Sequence, residues 1–225
     1  MAEAMTVETI LEADLQQRGF WTRVRFPLRT TNGGWSDIDV LGYHPERKEL
    51  IFAESKVRGP KKDVYAFTPY TRKAYGSILE FDGDNYFGFL KHVRLACEDG
   101  VVFADFRKMV KTLTVQLVSN YYIAPECMKD ACEDVLRKAR VGIPKGVKVA
   151  IRLETTLDVI SRMIARENAD KQGRRYGHAA LDIARELNRY LHPTVRFAGR
   201  GRAAADVVKK SLADTFERAF RVDGE

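Results

Sequence analysis

The sequence predicts an α/β protein with a mixed central sheet and a helical C-terminal extension. Three features carry that prediction. Strand-like segments follow one another through residues 20–56, then alternate singly with helices. The stretch Thr112–Ala124 (TLTVQLVSNYYIA) is dense in β-branched and aromatic residues. From residue 156 onward the apolar residues recur at helical spacing with no further strand signal.

Taken in order, residues 6–18 read as a helix. Thr6 is its candidate N-cap, Val7, Ile10, Leu11 and Leu15 its apolar stripe, and Gly19 its C-terminal stop. A strand starts at Phe20 and is expected to end near Pro27. A turn follows at 30–34 (TTNGG), then strands at 35–43 (WSDIDVLGY) and 50–56 (LIFAESK) joined by the polar HPERKE. The last two form an antiparallel hairpin with a loop instead of a two-residue turn. Residues 63–110 read as helical pieces broken at Pro69, FDGDN and EDG. After the strand at 112–124, Pro125 opens a helix with Met128, Ala131, Cys132, Val135, Leu136 and Ala139 on its buried side. A strand at 147–154 and helices at 155–167, 178–191 and around 207–220 complete the chain. The expected division is a core over 1–166, in which 57–111 is a candidate substrate-recognition insertion, and a basic helical extension over 167–225.

Composition narrows the class. Hydrophobic residues make up 45% of the 225 and charged residues 31%, which is ordinary for a folded globular chain and excludes disorder as the starting assumption. No apolar run is long enough to span a bilayer, so no membrane partner is expected. The N-terminal segment is acidic and lacks the pattern of a secretory signal, which sets the expected location as cytoplasmic. Cys97, Cys127 and Cys132 have no ligand or framework spacing and read as small buried hydrophobes; the four histidines likewise show no ligand spacing. The net charge of +7 is uneven. Residues 1–56 carry nine Asp/Glu against seven Lys/Arg, and the excess of base lies behind them. Acid early and base later suits a protein that holds cations at one place and a polyanion around it.

The chemistry is concentrated in two neighbouring strands. Asp37 and Asp39 interrupt one apolar strand, and Glu54 and Lys56 interrupt the next. A buried charge is costly unless it is paired or binds a metal. Strand alternation puts Asp37, Asp39 and Leu41 on one face, and Leu50, Phe52, Glu54 and Lys56 on one face. Glu54 and Lys56 then stand roughly 7 Å apart at a rise of about 3.3 Å per residue. With a suitable register, Asp39 lies beside Glu54. Two hard carboxylates suit Mg²⁺ (or Mn²⁺), which keeps several waters and accepts phosphate oxygens. A neighbouring ammonium can orient a metal-bound water and stabilise charge in an in-line displacement.

An Asp, a gap of about fifteen residues and then Glu-x-Lys on consecutive hairpin strands resembles the PD-(D/E)xK nuclease superfamily, with its restriction-endonuclease-like αβββαβ core. Within it the pattern looks most similar to Holliday-junction-resolvase-like and Mrr-like members. Asp39-Val40-Leu41 matches the Asp strand, Phe52-Ala53-Glu54-Ser55-Lys56 matches the Glu-x-Lys strand, and Glu8 matches the acidic residue of the first helix. The motif covers residues 6–56, and the element order covers about 6–165. The resemblance implies an Mg-dependent endonuclease acting on DNA, with Asp39 and Glu54 as metal ligands, Lys56 positioning water and Glu8 assisting. The proline that names the motif is absent, and Ser36-Asp37 stands in its place, so Asp37 is a second candidate ligand. The alternative is a chain that kept the fold as a nucleic-acid-binding module or complex subunit without the chemistry.

Two basic stretches are candidates for holding nucleic acid. One is KKDVYAFTPYTRKAY, where Lys61, Lys62, Arg72 and Lys73 alternate with aromatic residues. The other is 166–202, with nine Lys/Arg against four Asp/Glu, in which Arg174, Arg175, Arg200 and Arg202 stand near glycines. Cutting both strands of a duplex usually needs two active sites, so a homodimer is the expected assembly.

Overall fold

The structure is a computed structural model that describes residues 2–56, 66–98, 106–169, 177–191, 195 and 202–220. Helix α1 spans Ala2–Gln17. It begins earlier than the capping signal at Thr6 indicates, because Ala2-Glu3-Ala4-Met5 are themselves strong helix formers and continue the helix backward. Gly19 ends the turn after it with φ +86°, and a side chain there would meet the His44 ring at 3.3 Å. The glycine therefore answers both a backbone and a packing requirement.

Strands β1 (Trp21–Arg29), β2 (Trp35–His44) and β3 (Glu49–Lys56) form an antiparallel meander. β1 passes through Pro27, where the sequence suggested it would stop. It is an edge strand, and a proline there forfeits no ladder bond when its nitrogen faces outward. β5 (Thr112–Ser119) and β7 (Lys148–Thr155) continue the sheet in parallel, giving the order β1-β2-β3-β5-β7. The central sheet is thus mixed, as expected.

β5 is shorter than the apolar run suggested. The backbone N–H of Tyr121 donates to Ser119 Oγ at 3.2 Å, the chain turns, and Tyr122–Ile123 become β6. β6 pairs in parallel with β4 (Ala66–Phe67), a two-residue strand with no legible sequence signal. The broken helical region resolves into α2 (Pro69–Tyr75), α3 (Ile78–Phe87), α4 (Leu90–Glu98) and α5 (Phe106–Met109). After a single 3-10 turn at Pro125–Cys127, α6 (Met128–Ala139) leads to β7. One hydrophobic core joins Leu41, Leu50, Phe52 and Leu117 of the sheet to Phe87, Leu90 and Val93 of α3 and α4 and to Ala131 and Val135 of α6. Cys97 and Cys127 are buried and Cys132 half-buried, all free thiols.

The C-terminal helices are α7 (Thr156–Ala169), α8 (Ala179–Arg189) and α9 (Arg202–Phe220). α9 starts before the expected position because Ala203, Ala204 and Ala205 favour helix. His178 caps α8, its Nδ1 accepting from the Ala180 N–H at 3.2 Å. Two compact units result, and the division is not the one read at 166/167. Residues 1–8 and 19–155 form the sheet unit; Thr9–Arg18 of α1 and 156–225 form the helical unit. Within the helical unit, Asp14 is wholly buried and is gripped by Arg162 Nε at 3.0 Å and Arg18 Nη1 at 3.2 Å. Among the described residues no helix is long and apolar enough to cross a membrane.

Candidate active site

β3 lies between β2 and β5 and is buried along its whole length up to Lys56. Its ladder with β2 runs from His44↔Glu49 to Val40↔Ala53, and the next pair in that register is Asp39 with Glu54. There the two strands part. Asp39 fills the fork: its Oδ2 accepts from the Ser55 backbone N–H at 2.7 Å and from Ser55 Oγ at 2.8 Å. A side chain thus satisfies a strand donor where the backbone ladder has ended. The sequence gap between the two motif residues is long only because the hairpin loop lies inside it.

Glu54 is buried, with 4% of its surface exposed. Its Oε1 accepts from Lys56 Nζ at 2.5 Å. Its Oε2 is buried with no hydrogen-bond partner among the described residues. Burial, and then the Asp39 charge, push the Glu54 carboxyl up to about 7, against the pull of Lys56. The buried Glu54 carboxyl therefore stands beside the half-buried Asp39, and its Oε2 has no hydrogen-bond partner among the described residues.

Three residues that the sequence reading left out stand around this pair. Arg25 of β1 falls opposite Asp39, between the pairs Val24↔Val40 and Phe26↔Ile38. Its φ is +51°, a left-handed conformation that a non-glycine residue adopts at a cost. Its Nε donates to Glu8 Oε2 at 3.1 Å, and that bond, followed by the charges of Glu8, Asp37 and Asp39, holds its pKa above the ordinary arginine value. His92 of α4 meets Ser36 Oγ through Nε2 at 2.9 Å, and its Nδ1 is buried without a hydrogen-bond partner among the described residues. Burial, then Lys91 and Lys56, lower the His92 pKa, while Asp37 and Asp39 oppose them. Ser55 is the third, through its two bonds to Asp39. Symmetric pairing across the turn at 30–34 would have placed Arg25 opposite Asp39. Nothing in the sequence pointed to His92, because its approach depends on the packing of α4 against β1 and β2.

The predicted residues divide accordingly. Asp39, Glu54 and Lys56 come together on adjacent strands. Asp37 is exposed and pairs with Pro27 on the outer ribbon. Glu8 is buried and engaged by Arg25. Arg72 is ion-paired to Asp130, and with Lys73 it lines a shallow cleft that also includes Pro69, Gly76, Glu126 and Cys127 but none of the three motif residues. Arg202 is exposed at the start of α9. Lys61, Lys62, Arg174, Arg175 and Arg200 lie outside the described residues.

Among the described residues no three His, Cys, Asp or Glu side chains form a metal cage. The donor set is a pair, which suits Mg²⁺ completing its shell with water and phosphate and does not suit a closed structural site. Glu54 Oε2, which has no hydrogen-bond partner among the described residues, fits such a cation beside Asp39. No protein-family model, no curated protein and no solved structure matches the chain.

Proposed function

We propose that this chain is a metal-dependent nuclease that hydrolyses DNA phosphodiester bonds on a restriction-endonuclease-like core. The observation that carries the reading is the Asp39–Glu54 pair at the fork of β2 and β3, with a buried Glu54 oxygen that has no hydrogen-bond partner among the described residues and with Lys56 in contact. The order α1-β1-β2-β3, then β5-α6-β7, supports the fold part of the reading.

A divalent cation at this pair would polarise a phosphoryl oxygen and acidify a bound water. Asp39 and Glu54 would hold it, with Ser55 already bonded to one oxygen of the Asp39 carboxylate. Ser55 fixes the angle of the Asp39 carboxylate. Lys56 carries the positive charge that orients the attacking water and offsets negative charge building on the phosphate. Arg25, tethered by Glu8, sits on the Asp39 side and adds a cation there. Glu8 thus acts through Arg25 and is not a metal ligand.

The test is cleavage of plasmid, linear and branched DNA with Mg²⁺ or Mn²⁺, beside Lys56→Ala and Asp39→Asn. Wild type is expected to cut at least one substrate, and each variant to lose about a hundredfold or more in rate. Equal inertness of wild type and variants on every substrate sinks the enzyme reading. Asp37→Asn is expected to keep most activity, and a loss matching Asp39→Asn would reverse the assignment of the ligand.

A further inference from the structure

The β1–β2 ribbon carries an exposed face that runs past Asp39 and Arg25 to the hairpin tip, and its residues Trp21, Arg23, Arg29 and Trp35 have no part in the catalytic reading. Residues Trp21, Arg23, Arg25, Pro27 and Arg29 alternate outward along β1, and all are exposed. On β2 the same face carries Asp39, Asp37 and Trp35, in register with Arg25, Pro27 and Arg29. Trp35 is 74% exposed and stands directly across from Arg29 at the tip of the hairpin. Arg29 forms no ion pair among the described residues, and the Arg23 guanidinium lies 5.7 Å from the Phe26 ring centre. The opposite, inward residues Leu28 and Ile38 belong to the core, and Ser36 is tied to His92 of α4. The outward face is thus held on a packed support.

A bare tryptophan costs the free protein solvation and gives nothing back unless something stacks on it. Here it is beside Arg29, which has no ion pair among the described residues; between Trp35 and the acidic pair the same face carries Arg25, held by Glu8, and the exposed Asp37. Trp35 is four positions along the strand from Asp39, roughly 13 Å at about 3.3 Å per residue. That distance is a few nucleotides. A second copy of the chain adding a strand to β1 is the competing occupant. Pro27, the left-handed Arg25 and three arginines on that edge all oppose strand addition.

We propose that this ribbon face binds single-stranded DNA, with Arg23 and Arg29 on the phosphates and an unpaired base stacked on Trp35, so that the substrate presents an unpaired segment a few nucleotides from the cut. This deepens the nuclease reading and rests on it. Bases in a continuous duplex are already stacked on each other and offer no face to Trp35, whereas a base–aromatic stack is available to any unpaired base.

The test uses the full chain in EDTA, so that binding is read without cleavage. A twelve-nucleotide oligothymidylate is titrated against tryptophan fluorescence, beside a blunt duplex of equal length. The expected result is quenching in wild type and in Trp21→Ala. Trp35→Ala should lose the quench and bind about tenfold more weakly, with Trp35→Phe keeping most of the affinity. Arg29→Ala should reduce the slope of log affinity against log salt by about 0.7, one phosphate on a single strand. Far-UV circular dichroism of each variant excludes misfolding. The proposal is overturned if Trp35→Ala binds the oligonucleotide as wild type does, if the blunt duplex binds as tightly as the oligonucleotide, or if the loss in Trp35→Ala follows a change from dimer to monomer in sedimentation. Cleavage with an inert ribbon would leave the nuclease reading standing and overturn this one; binding by the ribbon without cleavage would leave the single-strand contact and overturn its relation to a cut.

Discussion

Ser55 is the clearest case of a residue whose role depends on position within a hydrogen-bond pattern. Flanked by Glu54 and Lys56, it donates twice to Asp39 and thereby sets where that carboxylate points. Ser55→Ala keeps the backbone bond and removes the hydroxyl. A hydrogen bond to a charged group contributes about 1.5–3 kcal/mol to stability, so a fall of several degrees in melting temperature is expected together with a loss of roughly tenfold or more in cleavage rate. Glu54 makes a prediction that needs no substrate. Its folded pKa, about 7, is above the 4.5 of an ordinary glutamate, so the folded state holds a proton that the unfolded state releases. Its contribution to stability is then full below about 4.5 and lost as pH rises through about 7. Glu54→Gln removes that dependence. In EDTA the variant should melt above wild type at pH 8, by an amount of order 2–3 kcal/mol, and close to it at pH 4.5. Equal melting temperatures at pH 8 would show that the carboxyl is not destabilised in its ionised form.

Strand β3 draws its precision from having neighbours on both sides. Phe52 is fully buried two residues before Glu54 and belongs to one core with residues of α4 and α6. Phe52→Ala should cost about 3–5 kcal/mol, read by urea denaturation. α1 shows the other sort of constraint, an ion pair with no solvent. Burial alone would raise the Asp14 carboxyl, but the combined charges of Arg162, Arg18 and Arg166 hold it below its ordinary value of 3.8. A depressed pKa stabilises the fold above the unfolded value, and that stability is lost as pH falls below about 3.8 through the folded one. Asp14→Asn removes the buried anion that Arg18 and Arg162 share and should cost about 3–5 kcal/mol at pH 7, a cost that shrinks as wild type is titrated into acid.

At the scale of the molecule, the first helix is divided between two units, Met1–Glu8 with the sheet and Thr9–Arg18 with the C-terminal helices. A chain cut after Thr155 therefore keeps Thr9–Arg18 but loses the rest of the unit to which that segment belongs, including the Arg162 partner of Asp14. Such a fragment is expected to unfold without a sharp cooperative transition, even though every strand of the sheet is present. A sharp melt of residues 1–155, followed by circular dichroism, would show that Thr9–Arg18 does not depend on the C-terminal helices.

The local pattern of this chain is strong enough to determine several things without tertiary structure. Alternation and β-branched content define the strands around Asp39, Glu54 and Thr112, and the spacing of Glu54 and Lys56 on one strand face follows from the pleat alone. Helical periodicity defines α6 and α8 because their apolar stripes are continuous. Boundaries were less legible where the deciding fact was remote. Pro27 continues a strand only because β1 is an edge, and Tyr122–Ile123 leave β5 only because Ala66–Phe67 offers another partner. The same reason separates the legible from the hidden part of the candidate site. Asp39, Glu54 and Lys56 are charges interrupting apolar strands, which a sequence displays. Arg25, His92 and the exposed face of Trp35 become neighbours of that set only through strand register and the seating of α4, and register and seating are decided by contacts between residues far apart in the chain.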